Sequence, residues 1–223
     1  MRERSDGYRG RFFILDGPDG CGKSTQARTT VNYLTEQGYD VVHLRDPGGT
    51  SIGEQIRSVL LNPKNKEMSD NAELGLFMSS RAQLVNERIK PALSDGRIVV
   101  CERWIPSTMT YQTAEITDMN ERDRRMIEIC DVGKFFTEGL RPDLTMIIDV
   151  EAEEGLRRVM AQRGETDRIE SKGLGYHQAV RGGFLRIPNL LEERDDFGNI
   201  KIVLPLDMES TTKEIIRLVN EEL

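Results

Sequence analysis

The sequence predicts an α/β protein in which a five-stranded parallel sheet carries helices on both faces. Three observations carry that prediction. Short apolar runs recur at Phe12–Leu15, Val41–Leu44, Ile98–Cys101, Leu144–Val150 and Ile202–Leu204, continuous enough for buried parallel strands. Helix-length patterns separate every successive pair, which is the alternation of βαβ units and not of hairpins. The first run ends in a glycine-rich turn that leads straight into a helix.

The elements follow in order. Residues 1–10 mix basic and acidic side chains without an apolar stretch and read as a short solvated tail. After the first strand, Ala27, Val31 and Leu34 give one apolar face to a helix over Ser24–Gln37, with Gly38 at its C-cap. The second strand is followed by a long excursion, residues 46–93, containing a Pro-Gly-Gly turn and helices at Ile52–Leu61 and Ala72–Leu93, closed by Gly96. Helices over Ile105–Glu115 and Asp118–Phe136 join the third strand to the fourth. A helix over Ala152–Gln162 then gives way to a polar segment, residues 163–174, that contains Gly164 and Gly173 and is followed by Gly175. Helices at Tyr176–Glu193 and Thr211–Glu222 flank the last strand. With no repeat, low-complexity tract or linker, residues 1–223 read as one domain. Both excursions should rise from the carboxyl ends of the strands, where ligands bind in open α/β sheets. The first has room for a second substrate, and the second has the composition of a mobile lid.

Composition narrows the partners. A net charge of −7 supplies no global basic field for a nucleic-acid backbone. Cys21, Cys101 and Cys130 lie far apart without a C-x-x-C pair, so neither a zinc site nor a disulfide framework is expected. Reduced thiols and the lack of an apolar run near ~18 residues point to a cytoplasmic protein without a membrane span.

Chemistry concentrates in Gly17-Pro-Asp-Gly-Cys-Gly-Lys-Ser24, which fits G-x-x-x-x-G-K-[ST] between a strand and a helix. Backbone N–H groups of Gly17, Pro18's neighbours, Asp19, Gly20, Cys21 and Gly22, with the start of the helix through Ser24 and Thr25, would cradle the phosphates of ATP. Lys23 would reach the β/γ-phosphates, and the Ser24 hydroxyl would ligate Mg²⁺. Phosphoryl transfer needs cations that do not titrate, and arginine supplies them in a planar fork. Arg45, Arg57, Arg81, Arg103, Arg163 and Arg168 fall where the excursions should converge. Glu102, at a strand end, is the expected partner of Mg²⁺, with Asp149 as its rival. Arg157 and Arg158 read as a solvated helix face, and neither His43 nor His177 receives a role.

The order F-I-L-D-G-P-D-G-C-G-K-S-T-Q, L-R-D-P-G-G-T, G-E-Q-I-R, F-M-S-S-R, E-R-W-I-P-S-T-M-T-Y-Q, R-P-D-L-T and R-G-E-T-D-R-I-E resembles the thymidylate kinase family, bacterial type, from about Phe12 to Phe184. The resemblance implies a P-loop kinase fold and Mg²⁺-dependent transfer of the ATP γ-phosphoryl group to dTMP, in dTTP synthesis. It implies that Phe77 stacks on thymine and that Arg81 bonds a thymine carbonyl. It further implies that Thr108 and Gln112, with Ser107 beside them, border the base edge, and that Tyr111 lies against the deoxyribose. Asp19 would orient the 3′-OH or nearby waters, while Arg57, Arg103 and Arg45 would hold the acceptor phosphate. Gly20 stands where another branch carries arginine, so Arg163 and Arg168 of the lid would supply the catalytic cation. A homodimer is also implied. Four positions depart from the pattern: Glu102 replaces Asp, Trp104 replaces Tyr or Phe, Pro106 replaces Asp, and Asp46 replaces Glu. Those departures leave open a kinase for another nucleotide or nucleoside, and a nucleotide-binding module without turnover is the alternative outside catalysis.

Overall fold

The computed structural model describes residues 7–163, 167–194, 196–204 and 207–223, with the side chains of 162 and 163 outside the description. Five strands, β1 (Arg11–Asp16), β2 (Val41–Arg45), β3 (Ile98–Glu102), β4 (Leu144–Ile148) and β5 (Asn199–Val203), form one sheet in the order β2-β3-β1-β4-β5. Every pairing is parallel, with β1 central and in register from Arg11↔Ile98 to Leu15↔Glu102. Successive β1 side chains point to opposite faces. Phe12 and Ile14 enter a core that includes Trp104, Met109 and Phe184, whereas Phe13 and Leu15 pack with Ala27, Leu34 and Ile215 on the other side. Helices on both faces follow from that double-sided burial.

The last strand starts three residues before the expected apolar run. It is an edge strand, and only Val203 is fully buried while Asn199 and Lys201 face solvent. Alternation replaces the continuous apolar signal at such a strand.

The helices are α1 (Lys23–Glu36), α2 (Ser51–Leu61), α3 (Asp70–Leu84), α4 (Lys90–Ser94), α5 (Ile105–Tyr111), α6 (Met119–Phe136), α7 (Ala152–Arg163), α8 (Leu174–Leu190) and α9 (Met208–Glu222). The helix expected over 72–93 is broken by a π turn at Val85–Ile89. Pro91 sits in the first turn of α4 and cannot donate an N–H, which accounts for local loosening of the helical ladder just before it. Gly38 and Gly96 take positive φ after α1 and α4, as helix-ending glycines do. The expected tail is shorter than residues 1–10. Gly10 N–H donates to Leu93 O at 2.9 Å and the Arg9 side chain to Ser94 O at 3.0 Å, tying both to α4.

Between α7 and α8, Asp167 Oδ1 accepts from the N–H groups of Ile169 and Glu170 at 2.9 and 2.8 Å, and Ile169 is buried in the core. This half of the expected lid is therefore a packed turn. No described helix is long and apolar enough to cross a membrane.

Candidate active site

A cavity of about 540 Å³ opens at the carboxyl end of the sheet, bounded by the β1–α1 loop, α2, α3, α5 and the turn after α7. Gly17, Gly20 and Gly22 adopt φ of 135°, 72° and 91°, conformations that favour glycine and turn the loop tightly. Lys23 is buried beneath it, and Nζ donates to Pro18 O at 2.9 Å and lies 3.6 Å from Cys21 Sγ. Lys23, Ser24 and Thr25 border the cavity, as do Asp19, Gly20, Cys21 and Gly22. Gly17 and Pro18, expected in the same cradle, are not among the residues that border it.

Gly20 explains why this loop holds no arginine. A Cβ there would lie 2.1 Å from Gly155 O, and a Cβ on Gly155 would lie 2.2 Å from Asp19 O. The loop and α7 thus touch backbone to backbone. Gly155→Ala is a good helix substitution by propensity, yet it should displace the loop at a cost of about 1–3 kcal/mol. The expected result is an ATP Kd raised about tenfold or more in calorimetry with α7 retained, and an unchanged Kd would show that the contact is slack.

Asp16 was not singled out by sequence reasoning, but it organises the next layer. Its fully buried carboxylate accepts from the N–H groups of Gly17, Trp104 and Ser107 and from the Ser107 hydroxyl at 2.6 Å. That pins the start of α5 to β1. Ser107 Oγ in turn accepts from Arg103 Nη1 at 2.9 Å. Arg103 has φ +67°, an uncommon conformation for a side-chain-bearing residue, held by Arg103 N–H donating to Leu15 O at 2.9 Å. Its guanidinium pairs with Asp19 and lies 5.1 Å from the centre of the Tyr111 ring, whose hydroxyl donates to Asp19 Oδ2 at 2.8 Å. Burial would raise the Asp19 carboxyl, but Arg103, Lys23 and the Tyr111 hydroxyl outweigh it and hold it below its ordinary value.

Arg45, Arg57 and Arg103 all border the cavity. Arg45 is half-exposed and paired with Glu54 at 3.1 Å. Arg57 donates to Pro47 O at 2.9 Å, and burial plus the neighbouring charges of Arg45 and Arg103 lower its pKa. Mutually repelling guanidiniums around one space make an anion site. At the far wall, Phe77 is half-buried, with part of its ring against the core and part on the cavity. Arg81 and Thr108 border the same wall, bonded to each other at 2.8 Å.

Gln112 and Arg168 are placed elsewhere. Gln112 Nε2 donates to Glu73 Oε1 at 2.5 Å. Arg168 pairs with the other oxygen of Glu73 and donates to Leu60 O at 2.8 Å, so it faces α2 and α3. The Arg163 side chain lies outside the described residues. Arg158, read as solvated, instead borders the cavity and approaches Gly20 O at 3.4 Å. Only the packing of α7 on the loop brings it there.

Glu102 meets its expected metal-site neighbour, Ser24 Oγ–H donating to Oε2, and one that was not expected, His43 Nε2 at 2.9 Å from Oε1. Burial raises the Glu102 carboxyl, but these two hydrogen bonds and the charges of His43 and Lys23 bring it below the ordinary range. The rival Asp149 is held by Arg181 through two bonds of 2.8 Å and does not border the cavity. No cluster of three His, Cys, Asp or Glu that could hold a metal occurs among the described residues. A hydroxyl and a carboxylate are hard oxygen donors, and they fit an Mg²⁺ ion whose remaining ligands come from phosphates and water.

The thymidylate kinase family model matches residues 15–195. The chain is 41% identical over 186 residues to the thymidylate kinase of Exiguobacterium sp. strain AT1b, covering 83% of this chain and 84% of that one. It is 38% identical over 220 residues to the thymidylate kinase of Symbiobacterium thermophilum, covering 95% and 94%. With that of Ectopseudomonas mendocina it shares 41% over 177 residues, 79% of this chain and 81% of the relative.

Proposed function

The chain belongs to the thymidylate kinase family, and we propose that its cavity receives ATP over the β1–α1 loop and dTMP against Phe77 and Arg81. The reaction is ATP-dependent phosphorylation of dTMP, giving dTDP and ADP. The observation that carries the site reading is one cavity lined together by Lys23 of the phosphate-binding loop, by Phe77 and Arg81 of α3, and by Arg57 and Arg103.

Each residue then has a physical task. The loop amides and Lys23 bind the donor phosphates, and Arg158 adds a cation on the α7 side. Ser24 and Glu102 would hold Mg²⁺, which when bound neutralises phosphate charge. Arg45, Arg57 and Arg103 hold the acceptor phosphate, a group that ionises without a catalytic base. Arg103 also reaches the transfer point, and Asp19 keeps it there. Arg81 carries donors only, so it suits the carbonyl of thymine and rejects an amino group at that place. Thr108 and Ser107 line the base end, and the Tyr111 ring closes the space beside the sugar. Gln112 supports this wall through Glu73. The family likeness and the acidic balance of the chain support a cytoplasmic homodimer without a nucleic-acid partner.

The test is ADP release with ATP and Mg²⁺, comparing dTMP, dUMP, UMP, dGMP and AMP. Strong turnover with dTMP is expected. Turnover with dUMP should be lower by roughly fourfold, the worth of one buried methyl at about 0.8 kcal/mol. Phe77→Ala should raise KM for dTMP about tenfold, as loss of an aromatic stacking surface does, while leaving KM for ATP in place. Preference for another acceptor, or no turnover, would overturn the reading.

A further inference from the structure

Arg81 is 1% exposed, and three groups fix its guanidinium. Nε–H donates to Asp46 Oδ2 at 2.6 Å, and Nη2–H donates to Thr108 Oγ1 at 2.8 Å. The Trp104 ring centre lies 5.4 Å from Cζ. Trp104 has no exposed surface and meets Phe12 of β1 edge to face at 5.2 Å and 89°. Both holders are anchored in the sheet. Asp46 N–H donates to Glu102 O at 2.9 Å, and Trp104 N–H donates to Asp16 Oδ2 at 3.1 Å. Arg81 itself stands on α3, so the contact crosses from helix to sheet. An arginine side chain carries about 2 kcal/mol of rotamer entropy, and ordering it before the ligand arrives removes that cost from binding.

We infer that Asp46 and Trp104 are joint positioning residues for base recognition: the carboxylate sets the direction of the Arg81 fork and the indole face sets its plane. Arg81 has five N–H groups. Asp46, Thr108 and Met78 Sδ, the last 3.3 Å from Nη1, account for three. Two Nη N–H groups remain for the acceptor base. This inference rests on the reading that the cavity takes dTMP. It also joins two departures from the family pattern into one unit. A shorter acid at 46 and a larger ring at 104 change volume in opposite directions around the same guanidinium, which conserves packing.

The experiment compares Asp46→Asn, Trp104→Phe and their combination by steady-state kinetics. Asp46→Asn should raise KM for dTMP about tenfold, the worth of a charge-assisted hydrogen bond, with kcat and KM for ATP within about twofold. Trp104→Phe should raise it about threefold, and the double variant should fall short of the product. Asp46→Glu combined with Trp104→Tyr should recover KM to within about threefold where each alone does not. A KM for dTMP within twofold of wild type in Asp46→Asn, or a parallel loss in kcat and both KM values, overturns the inference. Trp104 is the only tryptophan of the chain, so its emission reads the clamp without any substrate. Asp46→Asn must shift that emission in the nucleotide-free protein, and identical spectra overturn the inference even if the wild type proves not to use dTMP. Should Asp46→Asn not fold, Arg81→Lys, which keeps the charge and loses the fork, must shift it instead.

Discussion

Arg103→Ala is expected to lower kcat by about 10³, the scale on which a single arginine at a transferring phosphoryl group acts. Three things are lost together. The cavity loses a partly buried cation, the Ser107 hydroxyl loses a donor, and the Asp19 carboxylate loses its ion pair. Arg103→Lys should recover little, because an ammonium cannot span Asp19, Ser107 and the Tyr111 ring at once. Rapid-quench measurement of a single turnover would check this, and a loss under tenfold would remove Arg103 from the reaction centre. A pH effect follows with a definite sign. In the wild type the folded Asp19 carboxyl lies below its ordinary value. Its contribution to stability is therefore complete above the ~3.9 of an unfolded aspartate and is lost only as pH falls through the lower folded value. In Arg103→Ala burial loses its main opponent, the folded pKa rises, and the acid midpoint of unfolding moves to higher pH. Denaturation followed by circular dichroism from pH 7 downward would show the shift.

Arg168→Ala is expected to weaken both stability and turnover. Its side chain is 11% exposed and that of Glu73 8%, so removing the guanidinium leaves a nearly buried carboxylate with Gln112 as its side-chain partner among the described residues. Breaking such a pair costs about 3–5 kcal/mol, and for a chain of this size Tm should drop on the order of 10 °C. Glu73→Gln separates the two roles open to this arginine. Glu73 joins α3, which carries Phe77 and Arg81, to the turn after α7. If Arg168 anchors that turn, Glu73→Gln should reproduce most of the loss in kcat, since the docking contact fails from either side. A large loss in Arg168→Ala with kcat unchanged in Glu73→Gln would instead return Arg168 to the phosphoryl group. Differential scanning calorimetry and ADP release on the same preparations decide between them.

The difference between these arginines shows how far sequence reaches. Arg103 follows an apolar strand beside a phosphate-binding loop, so strand order alone carries it to the cavity. Arg168 lies in the polar segment expected to supply a cation, and Arg158 on the helix before it, expected to face solvent; the structure reverses the two. One is drawn away by Glu73, 95 residues earlier, and the other is brought in by a glycine-to-glycine contact between α7 and the loop. Asp149 stands in the sequence as the rival of Glu102 for the metal, and in the structure Arg181 holds it. His43 carried no local signal, since its partner lies on the neighbouring strand.

By itself the sequence determined the parallel sheet, the phosphate-binding loop, the family and the reaction, because each rests on local periodicity or on closely spaced residues. Only the tertiary structure decided which charges face the cavity and which are spent on one another. A carboxylate meets its arginine through space and not along the chain, and in a buried site that pairing determines which cations remain for the phosphates.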